Sequence, residues 1–138
     1  MSDFERTGGC FCGSVRYSFT APALETHHCH CQMCRKVHGA LFGTFSVILK
    51  DYFTVEQGAD NLVPFQSSER LHRNFCKTCG CHLFDELEQT TSAVELATGT
   101  IDDGAHPGHP EVTRRHIFVG SKVPWYAIED GLPRHEKF

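Results

Sequence analysis

The sequence predicts an all-β domain built around metal-binding cysteines. Three observations lead there. Apolar and polar residues alternate over short stretches, turn residues separate those stretches at short intervals, and eight cysteines fall into three clusters. The chain has 138 residues, the size of one ordinary domain, and no linker, repeat or low-complexity tract divides it. Residues 1–138 are therefore expected to form a single zinc-binding domain.

The elements follow in order. Val15, Tyr17 and Phe19 alternate with Arg16, Ser18 and Thr20, which predicts a half-buried strand ended by Ala21-Pro22-Ala23. Residues 25–31 are short and extended and deliver the middle cysteine cluster. Residues 32–38 predict one or two helical turns closed by Gly39. The β-branched and aromatic content of residues 42–49 and 53–56 predicts two strands. Residues 63–67 and 71–75 predict a hairpin around Ser68-Glu69-Arg70, with Leu71, Arg73 and Phe75 on one face and His72 and Asn74 on the other. Residues 76–81 read as a metal knuckle. Strands are predicted at Leu83-Phe84, at 94–98 and at 116–119, a turn at 101–104, a loop at 106–110, and an irregular tail over 123–126 and 130–133. In that tail, Trp125-Tyr126 is read as a core plug in preference to a partner-facing pair.

Composition narrows the function classes. Thirteen Lys and Arg against 17 Asp and Glu give a net charge of −4, with no basic excess to hold a nucleic acid. Arg114-Arg115 is only a small solvated pair. The start, Met1-Ser2-Asp3-Phe4-Glu5-Arg6, has no apolar run, so neither a signal peptide nor a membrane anchor is expected. No stretch of some 18 apolar residues occurs. A cytoplasmic location follows as the expectation, where thiols stay reduced. The chain has no G-x-G-x-x-G or Walker loop, no G-x-S-x-G, and no His pair spaced for a two-Cys, two-His finger.

The cysteines carry the chemistry. Cys10 and Cys12 form C-x-C, Cys29, Cys31 and Cys34 form C-x-C-x-x-C, and Cys76, Cys79 and Cys81 form C-x-x-C-x-C. Such spacings let sulfurs of one turn converge on an ion, whereas disulfides across one or two residues are strained. Gly13 after Cys12 and Gly80 after Cys79 can take positive φ and turn backbone N–H groups toward sulfur. Cys10, Cys12, Cys76 and Cys79 thus read as two knuckles of one closed, structural zinc site. Cys29, Cys31 and Cys34 supply three thiolates with no obvious fourth partner, the pattern of a zinc with an open position. Cys81, His30 or His28 could close that site, although His30 points away from its cysteine neighbours in an extended segment. Arg35 and Lys36 either offset thiolate charge and hold an anionic ligand or are simply solvated.

Three blocks carry a resemblance. GGCFCGSVRY (8–17), CHCQMCRKVHGA (29–40) and FCKTCGCHLF (75–84) together resemble the glutathione-dependent formaldehyde-activating enzyme family, which also contains centromere protein V. The stretches HIFVGSKVPWY (116–126) and DGLP (130–133) are similar to the end of the same domain. The resemblance implies an Mss4-like fold, several small coiled β-sheets held by zinc. It implies two zinc ions per chain: a structural one on Cys10, Cys12, Cys76 and Cys79, and a second, proposed as catalytic, on Cys29, Cys31 and Cys34.

The implied activity is that of a carbon–sulfur lyase acting on a thiol–aldehyde adduct, the condensation of formaldehyde with glutathione to S-hydroxymethylglutathione. Its partners would be small thiols and aldehydes, with no nucleic acid or membrane. Arg35, Lys36 or His38 could steer a carboxylate or carry a proton, but no catalytic residue beyond the metal site is assigned. The other reading is a non-catalytic, zinc-stapled module that binds a protein partner, like centromere protein V. Cys81 stands where Thr or Ser is common in the family, and the formaldehyde-activating members are longer than this chain.

Overall fold

The structure, a computed structural model, describes residues 3–87 and 90–138. Its described residues form ten strands, one short α-helix and several single 3-10 turns, so the all-β expectation holds, with the helix where residues 32–38 predicted it. The strands gather into two sheets. The smaller has the order β1 (Arg6–Gly9), β2 (Arg16–Phe19), β5 (Phe53–Gln57), all antiparallel. The larger has seven strands: β10 (Arg114–Ile117), β3 (Thr26–Cys29), β4 (Gly43–Leu49), β9 (Thr90–Ala97), β8 (His82–Leu87), β7 (Leu71–Cys76) and β6 (Leu62–Ser68). Every pairing in it is antiparallel except β10 with β3.

The period-two reading of the first strand is realised as burial. Val15, Tyr17 and Phe19 are buried while Arg16 and Ser18 are half-buried. They pack with Ile48, Leu83, Val94 and Leu96 into the main core. Each such side chain contributes about 1.5–3 kcal/mol of burial. Cys10 and Cys76 belong to this core cluster, so the first cysteine cluster sits at its margin. A second, smaller cluster of buried residues holds Cys29, Cys34, Phe45 and Ile117.

Helix α1 (Gln32–His38) covers the predicted residues. Gly39 ends it at φ 59, and its N–H reaches the Arg35 carbonyl. At the other end Cys31 is the N-cap, its sulfur accepting from the Cys34 N–H.

Two expectations change, and a third holds with more burial than its pattern implied. Strand β1 is absent from the sequence reading because Arg6-Thr7-Gly8-Gly9 has no apolar alternation; its ladder to β2 creates it. In β7 the predicted faces hold, with Leu71, Arg73 and Phe75 lining cavities on one side and Asn74 bonding Glu86 on the other, but both faces are covered, so Arg73 and Asn74 are both buried. Trp125 is 74% exposed and does not plug the core, while Tyr126 is half-buried with its ring 5.8 Å from that of Phe42.

Candidate metal centres

The first cluster is built by two turns, each closed by a glycine N–H. Gly13 N–H donates to the Cys10 carbonyl at 3.1 Å, and Gly80 N–H donates to the Cys76 carbonyl at 2.8 Å. Both glycines have positive φ, 80° and 76°, as the spacing predicted. The turns bring the sulfurs of Cys10, Cys12, Cys76 and Cys79 within 4.8 Å of one another. Cys12 Sγ lies 3.6 Å from Cys10 Sγ and 3.7 Å from Cys76 Sγ. Four sulfurs at about 2.3 Å from a tetrahedral zinc stand about 3.8 Å apart, so this donor set fits that ion. Backbone N–H groups of Val15 and Cys79 point at Cys10 Sγ (3.3 Å) and Cys76 Sγ (3.4 Å), damping thiolate charge.

Two residues that the spacing did not single out support this cluster. Ser14 Oγ lies 3.1 Å from Cys12 Sγ and 3.4 Å from Cys76 Sγ. Asn61 Nδ2 donates to Ser14 Oγ, to Cys76 Sγ and to Thr78 Oγ1. The hydrogen bond from Ser14 holds the Cys76 thiol well below the usual range, at about 5.

The second cluster joins the end of β3 to the start of α1. Cys29 is the last residue of its strand, paired with Gly43 on one side and Ile117 on the other. Cys31 caps the helix and Cys34 follows in its first turn. Their three sulfurs lie within 4.8 Å of one another. Hydrogen bonds from Cys29 and Cys34 pull the Cys31 thiol down, while the bond to Cys31 pushes Cys29 up.

Among the described residues no fourth ligating atom joins these three sulfurs. His28 Nδ1 bonds Thr44 Oγ1 at 2.8 Å. His30 is buried, its Nε2 2.8 Å from His116 Nδ1, and His116 continues to Asp130. Cys81 Sγ points to the His82 carbonyl and lines a different cavity. Burial pushes the Cys81 thiol up.

A cavity of about 430 Å³ opens over Cys29, Cys31 and Cys34. Its other polar lining comes from His27, Ser68, Arg70, Arg73, Asp85 and Glu95. The cations here are Arg70 and Arg73; Arg35 and Lys36 do not line it, and His38 instead stacks on His82 beside the other cavity. Arg35 donates through Nε to the His30 carbonyl, and Lys36 is exposed. The steering roles read for these three residues are therefore not supported by their positions.

Arg73 is one of the cavity residues that sequence reasoning missed. It is almost fully buried, its Nη2 lies 3.7 Å from Cys34 Sγ, its Nη1 bonds Asp85 at 3.2 Å, and its Nε bonds Ser67 at 2.9 Å. Asp85 in turn binds His82 Nε2. The signal available was a lone Arg between Leu71 and Phe75 on an apolar strand face; its burial comes from the elements that cover that face, which bring Asp85 and Cys34 to it.

Glu95 faces the same cavity, its Oε1 3.5 Å from His27 Nε2. Burial, reinforced by the Asp85 carboxylate, pushes its carboxyl up to about 7. Burial brings His27 down to about 4.

The model of the family described as glutathione-dependent formaldehyde-activating enzyme matches residues 5–121, which include both cysteine clusters. The chain belongs to the glutathione-dependent formaldehyde-activating enzyme family. The match ends before Lys122, so Trp125 and the DGLP stretch lie beyond it.

Curated relatives carry the name "Putative glutathione-dependent formaldehyde-activating enzyme". One from Pyrenophora teres f. teres is 36% identical over 80 residues, covering 56% of this chain and 42% of that protein. One from Podospora anserina is 34% identical over 82 residues, covering 58% of this chain and 38% of that protein. The match thus spans less than half the length of either relative. A crystal structure of a Rhodobacter sphaeroides protein superposes with a TM-score of 0.57 at 19% identity, over 70% of this chain and 88% of that one. At that identity the likeness concerns the fold of this formaldehyde-activating family member alone.

Proposed function

We propose that residues 1–138 act as a single zinc-binding domain with the chemistry of a carbon–sulfur lyase, joining a small thiol to an aldehyde and releasing it again. The observation that carries this reading is the three-sulfur cluster open to a cavity with an ionisable carboxyl and two guanidinium groups on its walls. Cys10, Cys12, Cys76 and Cys79 would hold a structural zinc, and Cys29, Cys31 and Cys34 a second one. When bound there, the second ion supplies Lewis acidity and lowers the pKa of a substrate thiol or polarises a carbonyl.

The residues around it supply the rest. In the condensation an S–C bond forms, the carbonyl becomes a hydroxyl, and the thiol proton ends on that oxygen. Glu95, poised near neutrality at the cavity wall, is placed to carry the proton. Arg70 at the cavity rim suits a substrate carboxylate, as glutathione has. Eight free thiols, seven of them in the two clusters, fit a reducing compartment such as the cytoplasm. Among the described residues no helix is long and apolar enough to cross a membrane.

NMR exchange spectroscopy of formaldehyde with glutathione tests the activity. The protein is expected to accelerate exchange above the spontaneous rate, and Cys31→Ser to abolish the acceleration while leaving the fold. A rate equal to the spontaneous one discards this substrate pair. The zinc-stapled interaction module is favoured by one observation, the exposed indole of Trp125. It predicts no acceleration over the spontaneous rate for any thiol and aldehyde.

Glu95 gives a pH prediction. Its folded pKa of about 7 stands above its unfolded value of about 4.3, so the native state binds more protons in that interval. Stability from this group is fully present below pH 4.3 and is lost as pH rises through 7. Glu95→Gln is expected to stabilise the protein at pH 8 by on the order of 2 kcal/mol relative to its effect at pH 4. Urea unfolding at both pH values measures it; parallel stability curves for the two proteins would remove Glu95 from this role.

A further inference from the structure

Away from both cysteine clusters, a third group of ligating side chains lies on the loop before β10. His106, His109 and Glu111 place one donor atom each within 4.8 Å of one another. The loop is pinned: Arg6 Nε donates to the His106 carbonyl at 2.7 Å, and Ala23 N–H donates to the Pro107 carbonyl at 3.0 Å. The two imidazole rings stand 4.4 Å apart.

His109 decides what the group is for. Its side chain is 4% exposed, and its Nε2 has no hydrogen-bond partner. Its Nδ1 lies 2.8 Å from Thr26 Oγ1, which lies 2.7 Å from Ser46 Oγ, which lies 2.8 Å from Thr98 Oγ1. Each hydroxyl has one proton to give. Run outward from Nδ1–H, the chain leaves a lone pair on Nε2 free to ligate; run inward, it puts on Nε2 a proton that a metal ion displaces. That nitrogen faces Glu111 Oε2 at 3.7 Å. At that separation the two atoms make no hydrogen bond, and a cation between them would satisfy both. The other Glu111 oxygen is already taken by Arg114, 3.1 Å away, which leaves Oε2 for this role.

We infer that His106, His109 and Glu111 form a third metal site, for a zinc-type divalent cation, which clamps this loop onto the start of β3. Two imidazoles and a carboxylate are donors that zinc accepts with positions left for water. The Thr26 hydroxyl is the outer partner that fixes the tautomer and orientation of the buried ligand. His106 is exposed, and its Nδ1 accepts the Gly108 N–H at 2.9 Å. With no thiolate in the set, this site is weaker than the cysteine clusters and fills after them.

The test uses the full chain with its cysteine clusters loaded and loose metal removed by gel filtration. Zinc chloride is titrated while long-range nitrogen–proton NMR spectra of the histidine rings are recorded. One further equivalent is expected to bind at micromolar zinc, moving ring-nitrogen signals of His106 and His109 together. His106→Ala and Glu111→Gln, both at exposed positions, are expected to weaken this step by at least about tenfold, the range found for losing even an outer partner. The metal content of the clusters should not change, so the result stands apart from any activity at the cavity. No saturable ring shift by millimolar zinc, or a step of equal strength in both variants, overturns the site.

Discussion

Cys79→Ser is expected to leave a largely unfolded chain, whereas Cys31→Ser is expected to fold and lack one ion. The asymmetry comes from what each cluster joins. Cys10 and Cys12 lie beside β1 and β2, in the three-stranded sheet, while Cys76 and Cys79 lie at the end of β7, in the seven-stranded one. An ion there fastens the two sheets together, and Cys10 and Cys76 are part of the core they share. Structural zinc contributes about 10–16 kcal/mol in small domains. That equals or exceeds the roughly 5–15 kcal/mol that holds a whole domain folded. The second cluster joins only the end of β3 to a seven-residue helix, so its loss frees a local segment. Protein purified without added zinc should carry close to two ions, Cys31→Ser close to one, and circular dichroism should show native sheet only in the latter. One ion in the unaltered protein, or equal unfolding of both variants, would end the division into a structural and an open site.

The parts of this molecule legible in the sequence are those set by local chemistry. Alternation in Val15, Tyr17 and Phe19 reports a buried strand face because the strand period is two. Helix α1 was bounded by Gly39, and the knuckles by Gly13 and Gly80, because those backbone conformations belong mainly to glycine. The grouping of sulfurs followed from spacing alone, since each turn delivers its cysteines to one side.

What was not legible depends on contacts between elements. Strand β1 exists through its ladder to β2, and Arg-Thr-Gly-Gly carries no pattern of its own. The strand period sets the face that Arg73 takes, but what covers that face, Asp85 from β8 and Cys34 from α1, is decided by the packing of distant elements. Arg35 and Lys36, adjacent to the cysteines in sequence, are not on the cavity wall, whereas Arg73 and Glu95, distant in sequence, are. Cations beside a motif are thus poor guides to a site whose walls come from β7, β8 and β9.

Arg73→Met is the other change expected to have a large effect. Arg73 and Asp85 are 3% and 1% exposed, so removing the guanidinium leaves a carboxylate buried without its cation. Breaking such a pair from one side costs about 3–5 kcal/mol, much of it the stranded charge. Asp85 keeps its hydrogen bond with His82, so the low end of that range applies. Arg73→Lys should recover only part of the loss. A single ammonium cannot reproduce the fork that reaches Ser67, Asp85 and Cys34 Sγ from three nitrogens. The pair Arg73→Met with Asp85→Asn removes the stranded charge and should be more stable than Arg73→Met alone, yet it still lacks the donor to Cys34. Urea unfolding separates the charge effect from the sulfur effect when zinc content is measured on the same samples. Stability should return in the double variant while the second ion stays weakly held. If zinc retention instead tracks stability across all three variants, Arg73 is a fold residue only, and its contact with Cys34 has no part in holding the metal.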